Sequence, residues 1–131
     1  MKTPNISIRR LLGVTAAVGL LGFLPACTTV VVDGDTTAEY KLGELQNEVD
    51  ADFAQAYAAA KAGLKDRDLF LTGDEKKVVE AELSARDSSD TSVTIKIKEV
   101  TKGRTSIKIR YGLAGDLAPA QLLYKAIESH L

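Results

Sequence analysis

The sequence predicts an α+β domain: a two-layer sandwich in β-α-β-β-β-α order, with a mostly antiparallel sheet and two helices packed on one face. Three observations predict it. Residues 79–111 hold three runs of apolar and polar residues in strict alternation, the period of a sheet with one dry and one wet face. Two further stretches repeat their apolar residues at helical spacing, so each has a stripe to bury. The simplest closure lays both stripes on the dry face of the sheet.

Residues 1–26 read as a removable export signal. Lys2, Arg9 and Arg10 make a positive start, and Leu11 to Leu24 is an apolar, uncharged run of 14 residues. A transmembrane helix needs about 20 residues at 1.5 Å each, so a span is the weaker reading. Leu24-Pro25-Ala26-Cys27 resembles a lipobox, in which the cysteine thiol takes a diacylglycerol and becomes the new N-terminus. Cys27 is the only cysteine of the chain, so the remainder has no disulfide to draw on. Arg9-Arg10-Leu11-Leu12 partly resembles a twin-arginine export signal, but a plain basic start explains it more simply. Thr28 after the cysteine, where an aspartate commonly retains lipoproteins at the inner membrane, points to the outer membrane facing the periplasm.

Residues 27–37 read as a lipidated tether, with Val30-Val31-Val32 open to reading as a short extra strand. Asp33 and Asp35 are too few to supply the six to eight oxygens that calcium takes. The α+β domain is expected over residues 38–131. Ala38, Tyr40 and Leu42 alternate with Glu39 and Lys41 as a first strand. Asp50 is placed to cap a helix in which Val49, Phe53, Ala56, Tyr57, Ala60 and Leu64 share a face, ended by Gly63 and the run Lys65–Asp68. Leu69-Phe70-Leu71 starts a short strand that Thr72-Gly73-Asp74 interrupts. Val79–Ala85, Val93–Ile97 and Ile107–Tyr111 follow as alternating strands joined by the turns Asp87–Asp90 and Lys102–Arg104, an antiparallel meander. Asp116 is placed to cap a last helix, with Pro119 in its first turn and Ala120, Leu123, Ile127 and Leu131 facing inward beside Tyr124.

Composition narrows the functional classes. The signal takes three of the 17 basic residues and none of the 18 acidic ones, leaving 105 of the 131 residues with a net charge of −4. A mildly acidic domain is a poor general binder of nucleic acid. His130, the one histidine, sits at a terminus where no catalytic triad would place its base. Gly112-Leu113-Ala114-Gly115-Asp116 lacks the Lys and Ser/Thr of a phosphate loop and reads as a strand-to-helix turn. Glu80 and Glu82 share one side of a strand and read as salt partners of neighbouring lysines rather than as an acid–base pair. No catalytic residue, metal site or cofactor is expected. Lys96, Lys98, Lys108 and Arg110 are the group of most interest: on paired strands all four point to the wet face, where they would hold an anion or an acidic partner. A solvated, partly neutralised face is the plainer reading of the same residues.

The lipobox, the run Tyr40-Lys41-Leu42-Gly43-Glu44-Leu45 and the Ala/Tyr helix 53–64 carry a resemblance. So do the strands Thr94–Lys98 and Ser106–Arg110, and Tyr111-Gly112-Leu113-Ala114-Gly115-Asp116. With these features the chain resembles the short bacterial lipoproteins grouped as domain of unknown function 3568. That resemblance implies an envelope location and an α+β fold, and carries over no activity. The expectation is a non-catalytic, membrane-anchored envelope module, an interaction or structural one that docks an envelope protein partner or supports an assembly. The alternative is a domain that binds an anionic lipid, glycan or small ligand on its basic sheet face.

Overall fold

The computed structural model describes residues 27–131; the segment read as an export signal, with Arg9, Arg10 and Leu24–Ala26, lies outside the described residues. Seven strands and two helices follow in the order β1 (Thr28–Asp33), β2 (Thr36–Lys41), β3 (Glu44–Val49), α1 (Phe53–Asp66), β4 (Phe70–Lys76), β5 (Glu80–Arg86), β6 (Ser92–Thr101), β7 (Arg104–Tyr111) and α2 (Leu117–Glu128). The sheet order is β1-β2-β3-β7-β6-β5-β4, with every neighbouring pair antiparallel. Two meanders thus meet at β3 and β7, and α1 carries the chain from β3 to the far edge at β4.

The α+β class, the antiparallel sheet and both helices on one face stand as the sequence predicts. Three strands, rather than one, precede α1, and four, rather than three, separate the helices. The segment read as a tether is part of the sheet: Thr28–Asp33 is an edge strand in register with β2, from Thr28↔Tyr40 to Asp33↔Thr36. Its valines supply the reason, since Val30 and Val32 pack against the core. Asp52, not Asp50, caps α1; its carboxylate accepts from the Gln55 amide at 2.8 Å. Val49 belongs to β3 opposite Thr105, so the helix starts later than its apolar spacing predicts. Gly63 does not end α1 but lies within it, packed against Ile127 of α2.

The core lies between the sheet and the two helices. Leu45, Leu83, Val93, Ile95, Ile97, Ile107 and Ile109 point into it from the strands, each essentially without solvent contact. Ala56, Ala60 and Leu64 of α1 and Ala120, Leu123 and Ile127 of α2 face them. The alanines keep α1 thin on its inner side, which lets it lie close to the sheet and to α2. Asp116 caps α2 through its backbone, with no side-chain hydrogen bond. Tyr124 is buried, and its hydroxyl accepts from Asn47 Nδ2 at 2.7 Å, which explains a polar residue on the inner side of β3. Thr105 likewise satisfies itself inside, donating to the Ala51 carbonyl at 2.8 Å. Side chains also tie α2 to the β1–β2 edge: Gln121 donates to the Val31 carbonyl and Thr36 to Glu128.

Candidate functional site

The helices cover one face of the sheet and leave the other open. Its central row follows from the strand registers: Glu75 opposes Glu82, Glu82 opposes Lys96, Lys96 opposes Lys108, and Lys108 opposes Gln46. In the adjoining row Glu80 opposes Lys98, which opposes Ser106, which opposes Glu48. These rows line a shallow groove of about 570 Å³. Like charges directly opposite each other on neighbouring strands weaken a sheet. Here that happens twice in one row, with two glutamates side by side and then two lysines.

The expected group divides in the structure. Lys96, Lys98 and Lys108 come together in the groove, and among the described residues none of them forms an ion pair. Arg110 lines a smaller hollow beside them with Lys96 and Lys108, but its guanidinium is held by structural partners: Nη2 donates to the Leu42 carbonyl at 2.8 Å, Nη1 to the Leu113 carbonyl at 3.4 Å, and Glu44 lies 3.6 Å off. Glu80 pairs with Lys77 of its own hairpin at 3.1 Å rather than with a lysine across the sheet. That hydrogen bond holds the Glu80 carboxyl below the usual glutamate range and raises the Lys77 ammonium. Ser106 lies beneath the lysines, 7 % exposed, and its hydroxyl has no hydrogen-bond partner among the described residues. Buried hydroxyls ordinarily have a partner.

A second polar cluster lies at the β4 edge on the helix side. Tyr57 donates to both oxygens of Asp74, at 2.7 and 2.6 Å, and Lys61 reaches the same carboxylate at 3.1 Å. Lys76 sits 4.6 Å from the centre of the Tyr57 ring. The hydrogen bond to Asp74 raises the Tyr57 hydroxyl above its ordinary range. The Tyr57 and Lys61 hydrogen bonds hold Asp74 below the carboxylate range. The cluster clamps α1 to the edge strand. Tyr57 and Lys61, four apart on a helix, were its only sequence signal, since Asp74 sits in the segment that reads as an interruption.

Elsewhere the chemistry-bearing types are engaged locally. His130 pairs with Asp66, and Gly112 to Asp116 forms the turn into α2. Among the described residues no three His, Cys, Asp or Glu side chains converge as a metal site, and no helix is long and apolar enough to cross a membrane. Cys27 is exposed at the start of β1.

Fold and face together define an antiparallel α+β sandwich with one sheet face covered by helices and the other left as an open, charged surface. The chain belongs to the family described as Protein of unknown function (DUF3568), whose model matches residues 10–130. A search of curated proteins finds no match.

Proposed function

We propose that this chain is a lipid-anchored module of the bacterial envelope that catalyses no reaction and docks a protein partner on its open sheet face. The observation that carries the reading is the charge arrangement of that face. Sheet stability alone would interleave the signs; instead Glu75 and Glu82 stand together, and beside them Lys96 and Lys108. Segregated charge on a rigid sheet gives a partner both affinity and register, because a complementary strip matches it in only one alignment. The basic start, the apolar run and Leu24-Pro25-Ala26-Cys27 support the anchor, and Thr28 supports the outer membrane, facing the periplasm. Acyl chains contribute about 0.8 kcal/mol per buried CH₂, so a multiply acylated Cys27 would hold permanently.

The test is photo-crosslinking in living cells from Thr94 and Gln46, which flank the lysines on this face. A discrete protein adduct, lost when Lys96 and Lys108 are both changed to Glu, is the expected result. Absence of any protein adduct from either position would remove the docking reading. A second reading is favoured by Ser106: its unpartnered hydroxyl beneath Lys96, Lys98 and Lys108 suits a small anionic ligand, a phosphate or carboxylate group. Salt-sensitive binding of inorganic phosphate, abolished in Lys96→Glu/Lys108→Glu and weakened in Ser106→Ala, would favour it over the protein partner.

A further inference from the structure

The end of the sheet at which Cys27 sits carries two leucines held out in water. Leu42 is 82 % exposed and Leu113 is 92 % exposed. Leu42 and Gly43 form the two-residue turn between β2 and β3, at φ 52° and 79°. Positive φ at both positions is what a type I′ hairpin requires, and Asn-Gly is its ordinary solution. A leucine there combines a disfavoured backbone with a fully wetted apolar side chain, and neither the turn nor the core gains from it. Strain and exposure kept together at one residue point to a use outside the fold.

The two tips form one rigid unit. Gly43 and Gly115 lie backbone against backbone, so closely that a Cβ on Gly43 would stand 2.7 Å from the Ala114 carbonyl oxygen. Tyr40 donates to the Gly115 carbonyl at 2.7 Å, and the Arg110 guanidinium donates to the carbonyls of both Leu42 and Leu113. The same end bears the anchor. Thr28 pairs with Tyr40, so Cys27, one residue further out, comes level with Lys41, the neighbour of Leu42. Adjacent strands lie about 5 Å apart, which leaves no spacer between lipid and domain.

We infer that Leu42 and Leu113 enter the apolar boundary of the lipid layer that holds Cys27, standing the domain on this end with its strands rising from the membrane. The inference rests on the lipid anchor proposed above and adds an orientation to it. Lipid is the occupant because the anchor brings it there: a chain acylated at Cys27 presses the tips against a membrane at very high local concentration. Lys41 is exposed beside them, placed for headgroup phosphates while its stem follows the leucines. In this pose the open sheet face runs along the membrane normal and stays accessible from the side.

The chain has no tryptophan, so a single one reports its surroundings without background. Leu113→Trp and, at the opposite end, Val78→Trp (Val78 is 90 % exposed) are expressed as full chains, purified from membranes and placed in phosphatidylcholine–phosphatidylglycerol vesicles with brominated acyl chains. Mass spectrometry of the N-terminal peptide reads whether Cys27 carries lipid. The expected result is blue-shifted emission, quenched severalfold by bromine, for Leu113→Trp, and unquenched, water-like emission for Val78→Trp. Adding Leu42→Asn, which suits positive φ and removes the apolar tip, lowers the docked-to-free ratio about tenfold or more, the worth of one buried leucine. A lipid-bearing, vesicle-bound Leu113→Trp chain with water-like emission overturns the inference and leaves the anchor standing. A chain without lipid on Cys27 overturns the anchor and the orientation with it. A blue shift that appears only on adding envelope proteins assigns the tips to a protein and overturns the lipid assignment.

Discussion

Gly63 sits where α1 meets α2, and replacing it with alanine sets two effects of opposite sign against each other. Alanine in a helix interior is favoured over glycine by about 0.8–1 kcal/mol, so on propensity alone Gly63→Ala stabilises. Against this, the added methyl would stand 2.5 Å from Ile127 Cγ1, 2.9 Å from its backbone nitrogen and 3.1 Å from its Cα. Comfortable carbon contacts begin near 3.5 Å, so the gap must open by roughly 0.5–1 Å. The side-chain atom has nowhere to turn, because Ile127 is fully buried, and the other two atoms are helix backbone. Only a shift of α2 relieves the contact, and that loosens Leu123, Tyr124 and Ile127 together. Overpacking of this kind costs about 1–3 kcal/mol, and displacing a helix belongs at the upper end. The balance is a net loss of about 1–2 kcal/mol, a fall in Tm of roughly 5–15 °C for a domain of this size. Urea unfolding followed by far-ultraviolet circular dichroism measures it, with Ala58→Gly on the exposed side of α1 as the control for propensity alone, expected to lose about 1 kcal/mol. If Gly63→Ala unfolds at or above the parent midpoint, α2 has freedom to move and close helix packing does not explain the glycine.

Three further outcomes follow from the same contacts. Asp52→Ala removes the side-chain cap of α1 and should cost about 1 kcal/mol in the same urea experiment, whereas Asp50→Ala, whose carboxylate makes no cap, should stay within about 0.5 kcal/mol. Thr105→Val deletes a fully buried hydrogen bond to Ala51 and should cost about 1–3 kcal/mol; Ser106→Ala deletes an unpartnered hydroxyl and should be neutral or slightly stabilising, and equal losses would refute this account of Ser106. The Asp87 carboxyl lies below its ordinary range because it accepts from the Thr91 amide, the Tyr111 hydroxyl and the Ser89 amide. A carboxyl depressed on folding contributes stability above its unfolded pKa, lost as pH falls through the folded value; Asp87→Asn should therefore flatten the acid limb of a stability–pH curve, and an unchanged limb would refute the assignment.

The strands that alternate cleanly in sequence are those whose two faces see oil and water, and these were legible: β5, β6 and β7 bury Leu83, Ile95, Ile107 and their neighbours as the pattern demands. The strands that escaped face something else. On β3 the inward positions are Leu45, Asn47 and Val49, and the asparagine breaks the apolar pattern because the Tyr124 hydroxyl waits opposite it. On β4 a bulge between Leu71 and Gly73 shifts the period by one, and the inward residues beyond it are Asp74 and Lys76. Both are polar because the outer edge of α1 presents Tyr57 and Lys61 to them. Inward polarity was matched by polarity on an element remote in sequence, which a single-strand pattern cannot display. β1 is an edge strand short enough that its valines fitted a strand and a tether equally.

The site was legible to the same extent and for the same reason. Alternation alone placed Lys96, Lys98 and Lys108 on the open face, and the strand registers set them side by side. Arg110 obeys the same alternation, yet its guanidinium satisfies two carbonyls of turns 71 residues apart along the chain, Leu42 and Leu113. A long side chain on an alternating strand has a known starting direction and an unknown destination. The destination is set by which backbone acceptors the tertiary fold leaves unpaired within its reach, and the tight turn at Leu42-Gly43 supplies one. If Arg110 were a free cation of the binding face, Arg110→Lys would leave the fold untouched and alter only binding. As a clamp it should behave otherwise: a lysine has no planar fork to span two carbonyls, so Arg110→Lys should loosen both tips and speed amide hydrogen exchange around Leu42 and Leu113 while leaving the charge of the face unchanged. Exchange at those turns that matches the parent would return Arg110 to the binding face.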